Sequence, residues 1–462
     1  MFLKPCLSHP LLILLISFFG LFKPPASQAA DAPSTDAFLD ELEKAHFQYF
    51  LKHSDQKSGL TMDSSRPDSA CSIAAVGFSL SAHIVAAQRS YISRADARDY
   101  VLKTLRTLWS LPQSDATGGV SGYRGFFYHF LDGNKGWTRA WNCELSSIDT
   151  ALLMAGVLSC KTYFDALDSG EHEIRDLAQK LFDRVEWDFM YRPSGFISMG
   201  WNPEKNKGFL KAEWNMYCEG PILLIEAIGS ATHPVPAKAW LNYTGKFKLV
   251  DYDGQRFLNF TPTYGYQYPQ CWIDFRELKD SYTAKKSGFD YFENAKRTLL
   301  AQHKYAVTNP MGWRDYGADC WGLTACDGPG FEKHIFKAKK VEFRGYSSRG
   351  PHDFDDGTIA PTAIAASLPY APDLVLPTLR KWRESRPEIW GDCGFRDAFN
   401  PSFDERKASG WVDSSFLGID QGPIVLMIEN HRSAYMWNLM KKNDVILRGL
   451  SRAEFKGAWL PD

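Results

Sequence analysis

The sequence has little net charge of either sign, with 53 basic and 54 acidic residues among 462. Proteins that bind polyanions carry a basic excess, so this balance argues against nucleic acid as a partner. The sequence also lacks a GxSxG elbow, a phosphate-binding loop and a GxGxxG fingerprint, the signatures of serine hydrolases and nucleotide-binding folds. No cysteines show the CxxC-plus-histidine spacing of a zinc site. We therefore expect neither a cofactor nor a metal.

Long apolar stretches are scarce beyond the N-terminus. Lys4 precedes an apolar run from Leu11 to Leu21, and the small residues Ser27 and Ala29 follow. This order is typical of a cleaved secretory signal, because the run is short for a membrane span; an uncleaved anchor is the alternative. We predict a signal peptide over residues 1–29 and an exported protein, periplasmic or secreted, with no membrane attachment after cleavage.

The remaining residues, 30–462, contain no linker-like or low-complexity stretch. We therefore predict one large domain, which we expect to be a monomer. An even number of cysteines, eight, remains after Cys6 is removed with the signal. Disulfides are possible in an exported protein, and Cys320 and Cys326 form the most local pair.

Two kinds of predicted helix alternate along the chain. The first kind has an apolar stripe and a charged face, which is typical of outer helices. Its members are Thr35 to Lys52, Ser93 to Leu111, Glu171 to Tyr191, Asp290 to Val307, Pro372 to Glu384 and Ser433 to Lys442. The second kind is nearly uncharged and rich in small residues, which indicates burial on all sides. Its members are Ser72 to Ala87, Ser146 to Leu158, Pro221 to Ile228, Thr358 to Leu368 and Pro423 to Glu429.

This alternation predicts an all-α fold, an (α/α)6 toroid or barrel of inner and outer helices with long aromatic loops. Loops such as Arg192 to Glu213 and Gly312 to Asp356 would form the rim of its cavity. An α-solenoid is the alternative, but the chain shows no repeat of fixed period. The stretch from Lys246 to Phe260 has β-like patterning and is too short to change the fold class.

Two buried helices begin with the same short pattern. Glu219 precedes Gly220-Pro221 and an apolar helix, and Asp420 lies just before Gly422-Pro423 and a similar helix. Two carboxylates at the mouths of core helices are the groups that a glycosidase needs, one as acid and one as base. Helix capping is the alternative role for both side chains.

Three further groups of carboxylates stand inside or beside uncharged helices, where an unpaired charge is unfavourable. Glu144 and Asp149 flank the start of one helix, and the alternative is a first-turn pair that complements the helix dipole. Asp356 precedes Gly357-Thr358 and could equally cap a helix. Asp397 follows Arg396 and could be its ion-pair partner.

A helix N-terminus favours the ionised form of Glu219 and so lowers its pKa, whereas a general acid needs a raised pKa. Desolvation must therefore dominate, and the neighbours Trp214, Tyr217, Cys218 and Pro221 can supply an apolar environment.

Several short sequence motifs occur in a fixed order along the chain. They are Ser72-Ile73-Ala74-Ala75-Val76-Gly77, Gly125-Phe126-Phe127-Tyr128-His129-Phe130, Ile148-Asp149-Thr150-Ala151-Leu152-Leu153, Trp321-Gly322-Leu323-Thr324-Ala325, Asp356-Gly357-Thr358-Ile359-Ala360-Pro361-Thr362, Gly394-Phe395-Arg396-Asp397-Ala398-Phe399-Asn400 and Gly418-Ile419-Asp420-Gln421-Gly422-Pro423. With Gly229-Ser230-Ala231-Thr232-His233-Pro234, they make the chain resemble the glucoamylase-like domain proteins, among them the endo-β-1,2-glucanases of glycoside hydrolase family 144. The resemblance covers nearly all of the chain after the signal.

The resemblance implies an (α/α)6 enzyme that cleaves β-1,2-glucan with inversion. Glu219 matches the family's acid candidate, although Cys218 replaces an asparagine there and Ala231 replaces a proline. Asp397 and Asp420 both match family motifs and remain alternatives for the base, and Asp149 matches an acidic position near the bond that is cut.

We therefore predict a glycoside hydrolase whose partner is a neutral β-glucan, as an oligosaccharide or polysaccharide, cleaved by an inverting mechanism. The acid and base carboxyls of inverting enzymes stand roughly 6.5–9.5 Å apart. The predicted substrate contacts are Trp141, Trp214, Trp321 and Tyr346 for stacking, Gln270, His352 and Gln421 for hydroxyl groups, and Glu144, Glu213 and Asp356 as acidic neighbours. Two alternatives stay open: a polysaccharide lyase on the same toroid, using Arg344, Arg349, His352 and Tyr346, and a non-catalytic carbohydrate-binding envelope protein.

Overall fold

The structure is a computed structural model that describes residues 34–336, 339–404, 407, 409–457 and 459–461. The predicted signal peptide, residues 1–29, lies outside the described residues. The α-helices are, in chain order, α1 (Thr35–Lys52), α2 (Ile73–Gln88), α3 (Arg94–Ser110), α4 (Ser147–Tyr163), α5 (Ser169–Asp183), α6 (Trp187–Met190), α7 (Pro221–Gly229), α8 (Lys238–Thr244), α9 (Tyr264–Gln270), α10 (Tyr291–Thr308), α11 (Pro361–Ala365), α12 (Pro372–Ser385), α13 (Gly418–Ser433), α14 (Tyr435–Met440) and α15 (Asp444–Arg452).

Six of these helices form a closed inner ring in the order α2, α4, α7, α9, α11 and α13, with α13 packing back against α2. Gln267 on α9 reaches α11, where its amide donates to Ala363 O at 3.1 Å and to Ser367 Oγ at 2.8 Å. The inner helices are buried over almost their whole length. The predicted (α/α)6 toroid is confirmed.

The outer layer covers the ring. Helix α1 packs on α2 and α13, α3 packs on α2 and α5, and α5 packs on α4. Helices α8 and α15 cover α7, and α12 covers α11. Local sequence explains several starts: Ser34, Ser93 and Asp290 cap α1, α3 and α10 through their side chains, and Ser93 forms a capping box with Asp96.

The strands are short and pair antiparallel in small sheets and hairpins. They are β1 (Cys71–Ser72), β2 (Gly122–Tyr123), β3 (Phe126–Phe127), β4 (Phe130–Asp132), β5 (Thr138–Arg139), β6 (Leu145–Ser146), β7 (Gly200–Asn202), β8 (Gly208–Phe209), β9 (Leu249–Tyr252), β10 (Gln255–Leu258), β11 (Glu332–Phe336), β12 (Lys339–Phe343), β13 (Trp390–Gly391), β14 (Gly394–Phe395), β15 (Phe399–Asn400) and β16 (Trp411–Val412). The β9–β10 hairpin, with Leu249 opposite Leu258, is the β-like stretch seen in the sequence.

Sequence and structure differ in a few places. Predicted helix Glu171 to Tyr191 is two helices, α5 and α6. The sixth inner helix, α9, is aromatic-rich, contains Pro269 and was not predicted. Cys320 and Cys326 are free thiols, as are the other described cysteines. Among the described residues, no helix is both long and apolar enough to span a membrane.

Candidate active site

The segments that precede the inner helices meet at one end of the ring. Gly418 N, at the start of α13, donates to Asp63 O at 2.8 Å, and Ile73 N, at the start of α2, donates to His129 O at 3.3 Å. Ser64 also forms a bridge with Leu417. The predicted carboxylates Asp149 and Asp420 stand in the first turns of α4 and α13, so this end collects them.

Glu219 stands immediately before α7, where Gly220 and Pro221 start the helix. Its side chain is partly exposed, and its Oε2 is buried with no hydrogen-bond donor among the described residues. Desolvation raises the pKa of Glu219 to about 7; the nearby Asp149 acts in the same direction, while the backbone amide of Glu219 opposes it. Burial therefore outweighs the helix N-terminus, as a general acid requires.

Asp149 and Glu144 are held by one histidine. His129 Nδ1 lies 2.9 Å from Glu144 Oε1, and Nε2 lies 3.6 Å from Asp149 Oδ1. Desolvation lowers the pKa of His129, but Asp149 and Glu144 outweigh it and raise the pKa to about 9. Ser146 Oγ donates to Asp149 Oδ2 at 2.5 Å. A charged imidazolium thus fixes both carboxylates, and Asp149 lies near enough to Glu219 to raise its pKa.

Asp397 and Asp420 form a directly interacting carboxyl pair rather than two separate sites. Both side chains are buried, their carboxyls interact, and Asp397 Oδ1 and Asp420 Oδ2 have no hydrogen-bond donor among the described residues. Desolvation first, and then the neighbouring carboxyl, raises the pKa of Asp420 well above its ordinary value. Desolvation likewise raises the pKa of Asp397 to about 7. Two carboxyls that interact in this way titrate as a unit.

Further charged side chains surround the Asp397–Asp420 pair. Arg66 Nη2 contacts Asp327 Oδ2 at 2.5 Å and Asp413 Oδ2 at 3.0 Å. The amide of Asp327 donates to Asp397 Oδ2 at 2.8 Å, which holds Asp397 from behind. Desolvation raises the pKa of the nearby Asp63 to about 6, helped by Asp327 and Asp149 and opposed by His129 and Arg66.

Three tyrosines connect Glu219 with the aspartate pair. Tyr264 and Tyr268 lie on α9 with ring centroids 5.6 Å apart, and both are partly exposed. Desolvation and then nearby carboxylates raise the pKa of all three hydroxyls: Glu219 acts on Tyr264, Asp420 and Glu219 both act on Tyr268, and Asp420 and Asp397 act on Tyr346. Tyr268 therefore lies beside both acidic centres.

Two groups of side chains could hold a cation by geometry. His129, Glu144 and Asp149 form one group, and Asp327, Asp397 and Asp413 form the other; the ligand atoms within each group lie within 4.8 Å of one another. In each group a protein cation, His129 or Arg66, already offsets the carboxylate charge.

Five predicted substrate contacts are instead buried in the core. Trp214 is 4% exposed and donates from Nε1 to Ser147 Oγ, and Trp321 is fully buried and donates to Thr378 Oγ1. Stacking on a sugar needs an accessible ring face, which neither residue has. Core packing therefore explains both tryptophans.

The same correction applies to Gln270, Gln421 and Asp356. The Gln270 amide donates to Tyr291 O, and the Gln421 amide donates to Phe395 O, with both side chains inaccessible. Asp356 accepts two hydrogen bonds from the buried Arg349, at 2.7 and 2.9 Å, and one from the amide of Thr358. These three side chains make buried contacts that join elements of the fold, and none is accessible to a substrate.

Four other predicted contacts are accessible. Trp141 is 71% exposed and Tyr346 is 52% exposed. Glu213 is partly exposed and accepts from Ser194 Oγ at 2.8 Å. His352 lies 2.7 Å from Asp253 Oδ2 and stacks on Tyr252, away from the carboxyl pair, at the β9–β10 hairpin.

The sequence did not single out several side chains that surround the site: His129, Asp63, Arg66, Asp327, Asp413, Tyr264 and Tyr268. Most of them stand in irregular loops, where no periodicity marks a buried or functional position. The spacing of Tyr264 and Tyr268 by four residues is one available signal, because it places both rings on one helix face.

Comparisons with known proteins agree with this arrangement. The Glycoamylase family model ("Putative glucoamylase") matches residues 211–444, which contain Glu219, Asp397 and Asp420. The chain is 27% identical over 467 residues to an exo β-1,2-glucooligosaccharide sophorohydrolase of Parabacteroides distasonis, covering 92% of this chain. It spans 59% of the length of that curated relative.

Solved structures share the fold over almost the whole chain. A "putative glucoamylase" from Bacteroides uniformis superposes with a TM-score of 0.81 at 28% identity, covering 93% of this chain and 100% of the other. An endo-β-1,2-glucanase from Chitinophaga pinensis, in complex with sophorotriose and glucose, gives a TM-score of 0.79 at 25% identity, with 93% and 100% covered. The resemblance seen in the sequence is confirmed, and the chain belongs to the Glycoamylase family of glucoamylase-like proteins.

Proposed function

We propose that the protein is a glycoside hydrolase that cleaves β-1,2-linked glucan. The observation that carries the proposal is the placement of Glu219, with its raised pKa, beside the same tyrosine as the Asp397–Asp420 pair. A carboxyl that holds its proton near neutral pH, together with an acidic pair that carries negative charge, supplies a general acid and a general base. The β-1,2-glucan activities named for the relatives support this substrate.

Glu219 protonates the leaving oxygen in this mechanism. The Asp397–Asp420 pair supplies the base, and Tyr268, which lies near both Asp420 and Glu219, stands between the two acidic centres. Asp397 is held by the amide of Asp327, and burial together with the neighbouring Asp397 raises the pKa of Asp420 well above its ordinary value. Activation of water by the ionised carboxyl of this pair, from the side of the sugar opposite Glu219, would invert the anomeric centre.

The local charges disfavour the lyase alternative. A lyase needs free cations to neutralise an acidic sugar, but Arg349 is buried against Asp356, and Arg344 pairs with Glu342 at 3.0 Å. Arg66 is bound by two aspartates. The carboxylates around the site would repel an anionic substrate, so a neutral glucan fits better.

The direct experiment incubates the protein with linear β-1,2-glucan and with β-1,3-, β-1,4- and β-1,6-linked glucans. We expect hydrolysis of the β-1,2-linked chain with inversion, read from the anomeric form of fresh products by NMR, and product size distinguishes endo from exo action. Absence of hydrolysis with retained sugar binding would support the non-catalytic alternative, and a product absorbing in the ultraviolet would support the lyase.

Glu219→Gln tests the acid assignment. Loss of the proton donor should lower kcat by roughly 10²–10⁴-fold. Because the wild-type acid must hold its proton, activity should fall as pH rises through about 7, and this alkaline limb should disappear in the variant. Glu173→Gln, on the exposed face of outer helix α5, is the matched control. Near-normal turnover by Glu219→Gln would rule out the assignment.

We also propose that residues 1–29 direct export. Lys4, the apolar run and the small residues before position 30 support this assignment. Sequencing of the N-terminus of protein recovered from outside the cytoplasm tests it.

A further inference from the structure

A second cavity, of about 420 Å³, opens between the segments that precede α2 and α4. Its walls include Arg66, Asp68, Ser69, Asp132, Trp137 and Trp141. Of the residues described above for the candidate active site, Arg66 lines this cavity, and the proposed acid, the aspartate pair and the three tyrosines do not.

The cavity lies next to the candidate active site along two separate walls. On one wall, Arg66 binds Asp327 and Asp413, and the amide of Asp327 holds Asp397. On the other wall, Trp141 packs against Phe130 with ring centroids 5.2 Å apart. Phe130 in turn stacks at 4.0 Å on His129, which holds Glu144 and Asp149. The first wall therefore leads to a carboxylate of the site in two contacts, and the second wall does so in three.

Trp141 is presented in an unusual way. Its ring is 71% exposed, although burial of an indole is strongly favourable. Its backbone and that of Asn142 are both left-handed, with φ of 50° and 53°, a conformation that is unfavourable for a bulky residue. The fold thus holds a large apolar ring at the surface in a strained segment, a combination that is typical of ligand-binding positions.

The chemistry of the walls fits a neutral sugar. Trp141 offers a flat face for the C–H groups of a pyranose ring, and the carboxylates of Asp68 and Asp132 can accept hydrogen bonds from its hydroxyls. An anionic ligand would meet Asp55, Asp68 and Asp132 together. Among the described lining residues, Arg66 is already paired with aspartates, and burial lowers the pKa of His53. Lys135 pairs with Asp132 at 3.1 Å, which leaves Asp55 and Asp68 to repel an anion.

We propose that this cavity is a remote subsite that binds a glucosyl unit of the same β-1,2-glucan chain, several units away from the bond that is cut. The assignment rests on the proposed function for the chemical identity of the ligand. A chain long enough to reach Trp141 gains binding energy there, whereas a short oligosaccharide does not. Trp141 is then a determinant of chain-length preference.

The test compares Trp141→Ala with wild type on polymeric β-1,2-glucan and on the shortest β-1,2-linked oligosaccharide that wild type cleaves. We expect the ratio of kcat/KM for polymer to kcat/KM for oligosaccharide to fall about five- to tenfold, the loss of one aromatic contact. The fall should lie mainly in KM. Trp141→Phe, which keeps a flat ring, should restore part of the ratio.

Trp109→Ala is the matched control, since this tryptophan is 43% exposed on outer helix α3 and does not line the cavity. An unchanged ratio for Trp141→Ala, or an equal loss on both substrates, would overturn the subsite. Binding of polymer to Glu219→Gln, with and without Trp141→Ala, separates the two proposals. If Trp141→Ala weakens binding while the wild-type protein hydrolyses no polymer, the subsite stands and the hydrolase proposal is wrong.

Discussion

Two glutamates at opposite ends of α7 have different surroundings. Glu219, at the mouth of the helix, is partly exposed. Glu226 lies inside the helix, fully buried, and neither of its oxygens has a hydrogen-bond donor among the described residues. Desolvation alone raises the pKa of Glu226 well above its ordinary value. Glu226 is therefore a neutral carboxylic acid in the folded protein and takes no part in the proposed chemistry.

Replacement of Glu226 by leucine should stabilise the protein at neutral pH. A raised folded-state pKa means that the stability linked to this group is complete below the unfolded-state pKa of about 4.3 and is lost as pH rises. The variant should gain roughly 1–3 kcal/mol at pH 7, because it removes buried polar atoms without partners. Thermal unfolding at pH 7 and at pH 4 measures the change, which should shrink at the lower pH.

Glu226→Gln provides the comparison, because it keeps the shape and the polar atoms but cannot ionise. Glu226→Gln should show the pH-dependent part of the stability gain of the leucine variant. It should not show the part that comes from removing buried polar atoms. A leucine variant that is less stable than wild type at pH 7 would show that the Glu226 oxygens have partners.

At the residue scale, the sequence indicated which carboxylates belong to the site better than it indicated which residues touch each other. Glu219, Asp397 and Asp420 stand out because carboxylates are rare in apolar segments. Their pairing was not predictable: Asp397 and Asp420 were treated as alternatives, and the structure brings them into contact. Tryptophan was the least informative residue type, because sugar stacking and core packing both use its ring. Trp214 and Trp321 are core residues.

At the scale of elements, the closest helix contact in the inner ring is between α2 and α4. A Cβ built on Gly156 would lie 2.2 Å from Gly77 O, and one built on Gly77 would lie 2.1 Å from Leu152 O. Backbone atoms of the two helices therefore touch, and only glycine at both positions permits this distance. The small residues that marked these segments as buried also set how closely they pack.

Gly156→Ala should force α2 and α4 apart. Because the obstructing atoms belong to the backbone, they cannot move aside as a side chain would, and we expect a loss of about 1–3 kcal/mol. Gly118→Ala is the control, since a Cβ there has no atom within 4 Å. Chemical denaturation of both variants gives the comparison, and equal stability of Gly156→Ala and wild type would contradict the close contact.

Helices with clear signals were predicted well, and those without were missed. Asp290 to Val307 was predicted and α10 covers Tyr291–Thr308, because Asp290 caps a regular apolar stripe. Helix α9 was missed because its sequence, with Pro269 inside and tyrosines at several positions, shows no buried periodicity. The predicted helix from Thr358 to Leu368 is longer than α11, which covers Pro361–Ala365. A stretch of small residues predicts burial but does not determine the length of the helix.

At the scale of the whole molecule, one arginine joins the last inner helix, α13, to the first outer helix, α1. Arg432, at the end of α13, lies 2.6 Å from Glu43 Oε2, 3.3 Å from Asp40 Oδ1 and 2.9 Å from Asp36 Oδ1, all on α1. Glu43 is fully buried, and desolvation and the neighbouring Glu429 raise its pKa to about 8 against the opposing effect of Arg432. The charge of Arg432 therefore offsets a buried carboxyl where the ring closes.

Arg432→Met should destabilise the protein by roughly 3 kcal/mol, the lower end of the range for breaking a buried ion pair, because Glu43 can take up a proton. The loss should grow as pH rises past 8, where Glu43 must ionise. Arg106→Met, which breaks the exposed pair with Glu173, is the control and should change stability by at most about 1 kcal/mol. Denaturation across pH measures both, and similar losses would show that the Arg432 network is dispensable.

The fold class was predictable because it depends on the alternation of uncharged inner helices with amphipathic outer helices. This alternation is visible in the sequence even where the helix boundaries are not. Six outer segments and five of the six inner ones were sufficient to indicate a toroid. The site was less predictable, because loops from distant parts of the chain build it: Asp63, Glu144, Glu219, Asp327 and Asp397 are brought together only when the ring has closed.

Ring closure by α13 against α1 and α2 has a consequence for how the chain reaches its native state. The contacts between Arg432 and Asp36 join residues 396 positions apart, so they form late, after most of the chain is present. Until α13 arrives, one face of the almost wholly apolar α2 has no partner. Sequences with such distant contacts fold slowly and aggregate readily while apolar surface is uncovered. Shortened chains that end before α13 should therefore be chaperone clients.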